Sequence, residues 1–82
     1  MNLLPPLPAK YRWALNLDGE VLVILIYKNV ASLKRRDQVE IDPSWDKARF
    51  HSEVGKVTRQ MSSEISRSEE IRGWVSELKG YG

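Results

Sequence analysis

Hydrophobic and polar residues alternate between Lys10 and Leu17, with Tyr11, Trp13, Leu15 and Leu17 on one side and Arg12, Ala14 and Asn16 on the other. A period of two is the mark of a half-buried β-strand. The alternation then gives way to an unbroken apolar run, Val21-Leu22-Val23-Ile24-Leu25-Ile26-Tyr27. Such a run predicts a central strand buried on both faces. Between the two segments stands Asp18-Gly19, whose residues tolerate the positive φ values of a two-residue type I′ turn. That turn pairs Leu17 with Glu20, Leu15 with Leu22, Trp13 with Ile24 and Tyr11 with Ile26, which are favourable aromatic and β-branched cross-strand pairs. Lys28-Asn29 predicts a second turn, because Asn accepts the left-handed conformation. Beyond it Ala31, Leu33, Val39 and Ile41 share the odd phase, so residues 30–41 read as a third antiparallel strand. The charged stretch Lys34-Arg35-Arg36-Asp37 interrupts that strand as a bulge or loop; a helical turn over 31–36 is the competing reading.

After residue 42 the period changes. Asp42 as N-cap, Pro43 at the first helical position and Asp46 in the first turn announce a helix. Phe50, Val54, Val57, Met61 and Ile65 follow it as a core-facing stripe. Gly55 within the stripe points to close approach of the helix backbone to the sheet. At ~100° per residue the apolar phase shifts by about a quarter turn before Ile71, Val75 and Leu78. Ser66 and Glu69 have the capping-box spacing at that shift. The pattern therefore predicts two helices, 43–66 and 68–79, with Gly80 as the terminator; one continuous helix with a rotated stripe is the alternative. The expected fold is α+β: a small two-layer domain in which an antiparallel hairpin or three-stranded meander over 10–41 precedes two C-terminal helices.

The prolines Pro5, Pro6 and Pro8 predict an extended N-terminal segment over residues 1–9. Leu4–Lys10 contains a P-x-x-P-x-Lys arrangement of the kind aromatic grooves bind, although a strap across the sheet is the simpler role. No basic leader precedes the prolines, and the apolar run is far shorter than the ~20 residues of a membrane helix. A chain of 82 residues makes one domain with a modest core. It has no cysteine, so disulfides, thiolate catalysis and Cys-based zinc sites are excluded. A cysteine-free format of this size fits a cytoplasmic location.

Catalytic chemistry is thinly provided for. His51 is the only histidine, and it falls at the boundary of the helix stripe beside Phe50. No second histidine or cysteine completes a metal set, and no glycine-rich loop opens a helix to hold phosphate. Glu69-Glu70 reads as first-turn carboxylates stabilised by a helix dipole, not as an acid/base pair. The sequence thus predicts no catalytic residues, no metal, no cofactor and no small-molecule substrate.

Two surfaces remain. With Leu22, Ile24 and Ile26 turned toward Tyr11, Trp13 and Leu15 and covered by the helices, Val21, Val23, Leu25 and Tyr27 form an apolar row on the opposite face. Such a row either is covered by Leu3, Leu4 and Leu7 or by straddling helices, or else marks an interaction site. Trp74, at the edge of the last apolar stripe, is a further candidate anchor. The second surface is basic: Lys34, Arg35 and Arg36 together with Arg49, Lys56, Arg59 and Arg67 on the polar side of the helix could follow a phosphate backbone. The net charge of +2 is small, however, and the segments 1–29, 30–42 and 43–82 carry +1, 0 and +1. The leading reading is a non-enzymatic protein-interaction module, a regulator, inhibitor or adaptor that self-associates or docks on a protein partner through the sheet face. Its compact format is shared by accessory proteins of phages and mobile elements, an analogy that carries over no residue. The alternative is a nucleic-acid-binding accessory protein.

Overall fold

The computed structural model describes residues 4–80. The architecture is α+β: strands β1 (Tyr11–Asp18), β2 (Val21–Lys28) and β3 (Ser32–Glu40) form an antiparallel meander in the order β1-β2-β3, followed by one helix, α1 (Lys47–Gly80). The apolar run is the central strand, as its composition predicts, but it is buried on one face only: Leu22, Ile24 and Ile26 are buried and Val21, Val23, Leu25 and Tyr27 half-buried.

The first hairpin is shifted in register from the one Asp18-Gly19 implied. Asp18 pairs with Val21, Leu17 with Leu22, Leu15 with Ile24, Trp13 with Ile26 and Tyr11 with Lys28. The central turn residues are therefore Gly19 and Glu20, and of these only Gly19 has positive φ, at +62°. Positive φ at the first position alone is the type II′ pattern, not type I′. The slip of two residues leaves every side chain on its expected face, because side chains alternate with period two. It exchanges a Leu17–Glu20 pair for Leu17–Leu22 and places the Lys28 ammonium 5.3 Å from the centre of the Tyr11 ring.

At the second turn Asn29 adopts φ +60°, and its N–H donates to the Lys10 carbonyl at 2.8 Å. The charged stretch does not break β3, nor does it become helical. Arg35 pairs with Ile26 and Leu33 with Tyr27, so Lys34 is the extra residue of a β-bulge. The bulge inverts the expected phase. Leu33 lies on the face of Tyr27, whereas Val39, opposite Leu22, lies on the face toward the helix.

The helix starts later than Asp42-Pro43 suggested. Asp42 caps a turn instead: its carboxylate accepts from the Ser44 N–H (2.9 Å) and hydroxyl (2.8 Å), and its carbonyl accepts from the Trp45 N–H (3.0 Å). Those bonds hold the Asp42 carboxyl below its usual range, chiefly through the Ser44 backbone N–H. Asp46 is the N-cap, accepting the Arg49 N–H at 2.8 Å. The turn between β3 and α1 packs Ile41 and Trp45 against the core.

From there α1 crosses the Leu22/Ile24/Ile26 face, where Ile24, Ile26 and Met61 are fully enclosed with Leu22, Val39, Val54 and Ile65 around them. The helix face in contact with the sheet is rotated from the purely apolar stripe. Thr58 and Ser62 are buried, while Phe50 and Val57 are only half-buried. Thr58 satisfies its hydroxyl on the carbonyls of Val54 (3.0 Å) and Gly55 (3.2 Å). Gly55 is buried, but close approach to the sheet does not explain it: a Cβ there would meet only the Arg59 guanidinium, at 3.0 Å.

Two helices were expected, and one is found. No break occurs at Ser66, and Glu69 is drawn into side-chain bonds. Glu69 accepts from the Tyr11 hydroxyl and, at 3.5 Å, from Lys28. A continuous helix of 34 residues is about 51 Å long, against about 26 Å for an eight-residue strand. Every residue from Glu70 to Gly80 is exposed, and the molecule is drawn out to 57 × 23 × 19 Å.

The proline segment folds back as a strap between β1 and α1. Trp13 Nε1 donates to the Pro5 carbonyl (2.9 Å), the Ser62 hydroxyl donates to the Pro6 carbonyl (2.9 Å), and Leu7 packs on the core. Lys10, at φ +77°, turns the strap into β1, with the Tyr11 N–H donating to the Pro8 carbonyl.

Candidate protein interface

Three apolar surfaces are left without a layer over them among the described residues. The first is the outer face of the sheet. Register places Arg12, Ala14, Asn16 and Asp18 of β1 beside Tyr27, Leu25, Val23 and Val21 of β2, and Leu33, Arg36, Gln38 and Glu40 of β3 on the far side. The helix and the strap both occupy the other face, with Leu7 packed on the core there, so the alternative in which Leu7 or straddling helices cover this row is not found; the part of that alternative resting on Leu3 falls outside the described residues. Val21, Val23, Leu25 and Tyr27 are half-buried. The Arg12 guanidinium lies 4.7 Å from the centre of the Tyr27 ring and donates to the Val30 carbonyl at 2.9 Å. Leu33 is exposed at one end of the row.

The second surface is the overhanging end of α1. Ile71, Trp74, Val75 and Leu78 have the i, i+3, i+4, i+7 spacing of one helix stripe, and Leu78 is 69% exposed. Sequence pattern assigned Ile71, Val75 and Leu78 to the core side of a second helix. In a continuous helix the shifted phase carries them away from the sheet instead. Trp74, 49% exposed with the Arg67 guanidinium 4.8 Å from its ring centre, belongs to this surface. It is not brought together with Val21, Val23, Leu25 and Tyr27.

The third is the end of β1 on the helix side. Leu15 was expected under the helices, but it is 50% exposed and Leu17 beside it 62% exposed, because α1 and the strap leave that corner uncovered.

The basic residues are divided. Lys34 sits at the bulge, Arg35 on the helix side of β3 and Arg36 on the outer face. Four of the seven candidate cations bond carboxylates: Arg35 with Glu64 (2.7 Å), Arg49 and Lys56 with Glu53 (3.1 and 3.3 Å), and Arg67 with Glu70 (3.2 Å). Arg36 lies 3.4 Å from the Gln38 side-chain oxygen, and Arg59 beside Gly55. These bonds hold the carboxyls of Glu64 and Glu53 below their usual range, through Arg35 and Lys56 first. The Tyr11 hydroxyl is pushed up by burial and by its bond to Glu69, whose own carboxyl is lowered by that bond.

His51 is half-buried with its ring 6.0 Å from that of Phe50. Among the described residues no helix is long and apolar enough to cross a membrane, and no three His, Asp or Glu side chains are grouped to hold a metal ion. No protein-family model matches the chain, and no curated protein or solved structure shows significant similarity to it.

Proposed function

We propose that this protein is a small non-enzymatic interaction module, a regulator, inhibitor or adaptor, whose binding surface is the outer face of the sheet. The observation that carries the reading is that helix and strap share one face, leaving the Val21, Val23, Leu25 and Tyr27 row of the central strand without a layer. A central strand apolar on both sides is what a sheet needs when both faces are to be covered, and here the described residues supply one cover. Rigid strand positions also suit a docking surface, since little side-chain or backbone freedom is lost on binding.

The test is the native mass of the tagged protein as isolated from its host, with Leu25→Asp alongside. The expected result is a mass above the 9.5 kDa of the single chain, returned to that value by Leu25→Asp with the circular dichroism unchanged. A wild-type chain that runs alone, or an associated mass that survives Leu25→Asp, would refute the reading.

Nucleic-acid binding has weaker support. Lys34, Arg35 and Arg36 point along different sides of β3, and carboxylates neutralise Arg35, Arg49, Lys56 and Arg67. A phosphate-tracking surface needs cations free to replace the counterions condensed on the phosphates, and a cation already bonded to a carboxylate of the protein is not.

A further inference from the structure

The outer face carries its charges in a polar order. Across the sheet, one terminal row is Arg12–Tyr27–Leu33 and the next is Ala14–Leu25–Arg36. At the other end stand Asn16–Val23–Gln38 and then Asp18–Val21–Glu40. Both cations of the face thus lie toward one end and both carboxylates toward the other, with the apolar row between them. Residues around the face extend the division. Lys34 marks the basic end by its place in the bulge, and Glu20 and Asp42 line a shallow depression with Val21 and Glu40 at the acidic end.

We propose that a second copy of this chain covers this face, related by a two-fold axis that runs across the strands, so that the basic end of each copy lies over the acidic end of the other. The proposal rests on the reading of the outer face as the binding surface. Two symmetric ways of stacking the face on itself keep the sheets aligned. An axis along the strands lays like rows over like, which sets Asp18 and Glu40 over the same carboxylates and gathers four arginines at the opposite end. An axis across the strands sets Arg12 over Asp18 of the second copy and brings Arg36 near the Gln38 and Glu40 side chains of that copy. The same operation lays Val21 over Tyr27 and Val23 over Leu25, so the apolar row also matches itself. The charge order selects the second arrangement, because like-charge juxtaposition disfavours the first.

The size of the face fits this occupant. Three strands at ~4.8 Å spacing and eight residues at ~3.3 Å rise span about 14 by 26 Å. Covering it on both copies removes on the order of 1,000 Å² from water, near the lower end for a specific interface. The product is a dimer of four layers, helix, sheet, sheet, helix, which dissociates on dilution.

Sedimentation of the purified full chain from low micromolar to near-millimolar concentration tests this. The expected course is a rise from 9.5 kDa to twice that mass, weakened by salt and abolished by Leu25→Asp. Arg12→Asp or Asp18→Arg alone weakens association roughly ten-fold or more. An equal mixture of the two variants regains it, because in the mixed pair each reversed position again meets an opposite charge. Arg12 also rests on Tyr27, so circular dichroism accompanies each variant, and Arg36→Glu mixed with Glu40→Lys repeats the exchange on the other edge. A wild-type chain that is monomeric throughout overturns the proposal whatever the variants do. So does a mixture no tighter than its components, or a dimer that Trp74→Asp disperses and Leu25→Asp does not. A pure chain that stays monomeric, while the host-isolated chain loses its companion on Leu25→Asp, overturns the second copy and leaves the role of the face intact.

Discussion

The two halves of α1 are built from similar residues and have opposite fates. From Phe50 to Ile65 the helix lies on the sheet, and Met61 is wholly enclosed. From Glu70 onward the same backbone continues with Ile71, Trp74, Val75 and Leu78 in a regular stripe, yet every one of them is exposed. Apolar spacing alone therefore does not decide burial. What decides it is whether a second layer exists at that distance along the helix axis and on that side of it. The sheet ends near Tyr11 and Lys28, where Glu69 makes the last contacts, and α1 runs on past it. The proximal half is held by packing and the distal half by its own backbone bonds, which are marginal for a short helix in water.

Truncation of the proximal core tests this contrast most severely. Met61→Ala is expected to cost about 2–5 kcal/mol, through lost burial and the cavity left among Ile24, Ile26 and Val54. Urea unfolding at low protein concentration reads it directly. Acidification acts at the junction of the two halves. Glu64 and Glu69 have carboxyls lowered by Arg35 and Tyr11 respectively. Their contribution is present above the unfolded value of 4.5 and is lost as pH falls through the folded one. The melting temperature should therefore drop between neutral pH and pH values below that range, and Glu69→Gln should flatten the drop.

Smaller effects sharpen the comparison. Gly55→Ala should stabilise the protein by roughly 0.5–1 kcal/mol. It gains helix propensity, and the new methyl meets only the movable Arg59 side chain. In the distal half Leu78→Ala should change monomer stability by less than about 0.5 kcal/mol, since the side chain is 69% exposed. Native-state hydrogen exchange should separate the halves without any substitution, with amides near Met61 opening only on global unfolding and those beyond Trp74 opening locally. Comparable protection in both halves would show that something covers the distal stripe in solution.

Much of this was written in local pattern. Alternation and the apolar run announced β1 and β2, and Asn29 announced the second turn. Asp at a helix start was also legible, although Asp42 and Asp46 compete for the cap and only the closing of the Asp42 turn on Ser44 and Trp45 settles which one takes it. The candidate interface was legible in part. Period two guarantees that Val21, Val23, Leu25 and Tyr27 share a face, whatever the register. The burial of Thr58 and Ser62 was missed because small polar residues carry no apolar signal; Thr58 bonds back to its own helix, and Ser62 depends on the strap, whose Pro6 carbonyl takes its hydroxyl.

The sequence by itself determined β1 and β2, the faces of their side chains and the existence of an apolar row on the outer face, because those follow from local periodicity; the bulge at Lys34 took the phase of β3 out of its reach. Only the tertiary structure decided where the cover lies. The strap and the single helix compete for one face, and the bonds of Glu69 to Tyr11 and Lys28 favour carrying the helix straight on where a capping box could have ended it. A break would have let Ile71, Val75 and Leu78 fold back over the molecule. Helix continuity depends on contacts between residues as far apart in the chain as Tyr11 and Glu69, and no local spacing encodes such a contact.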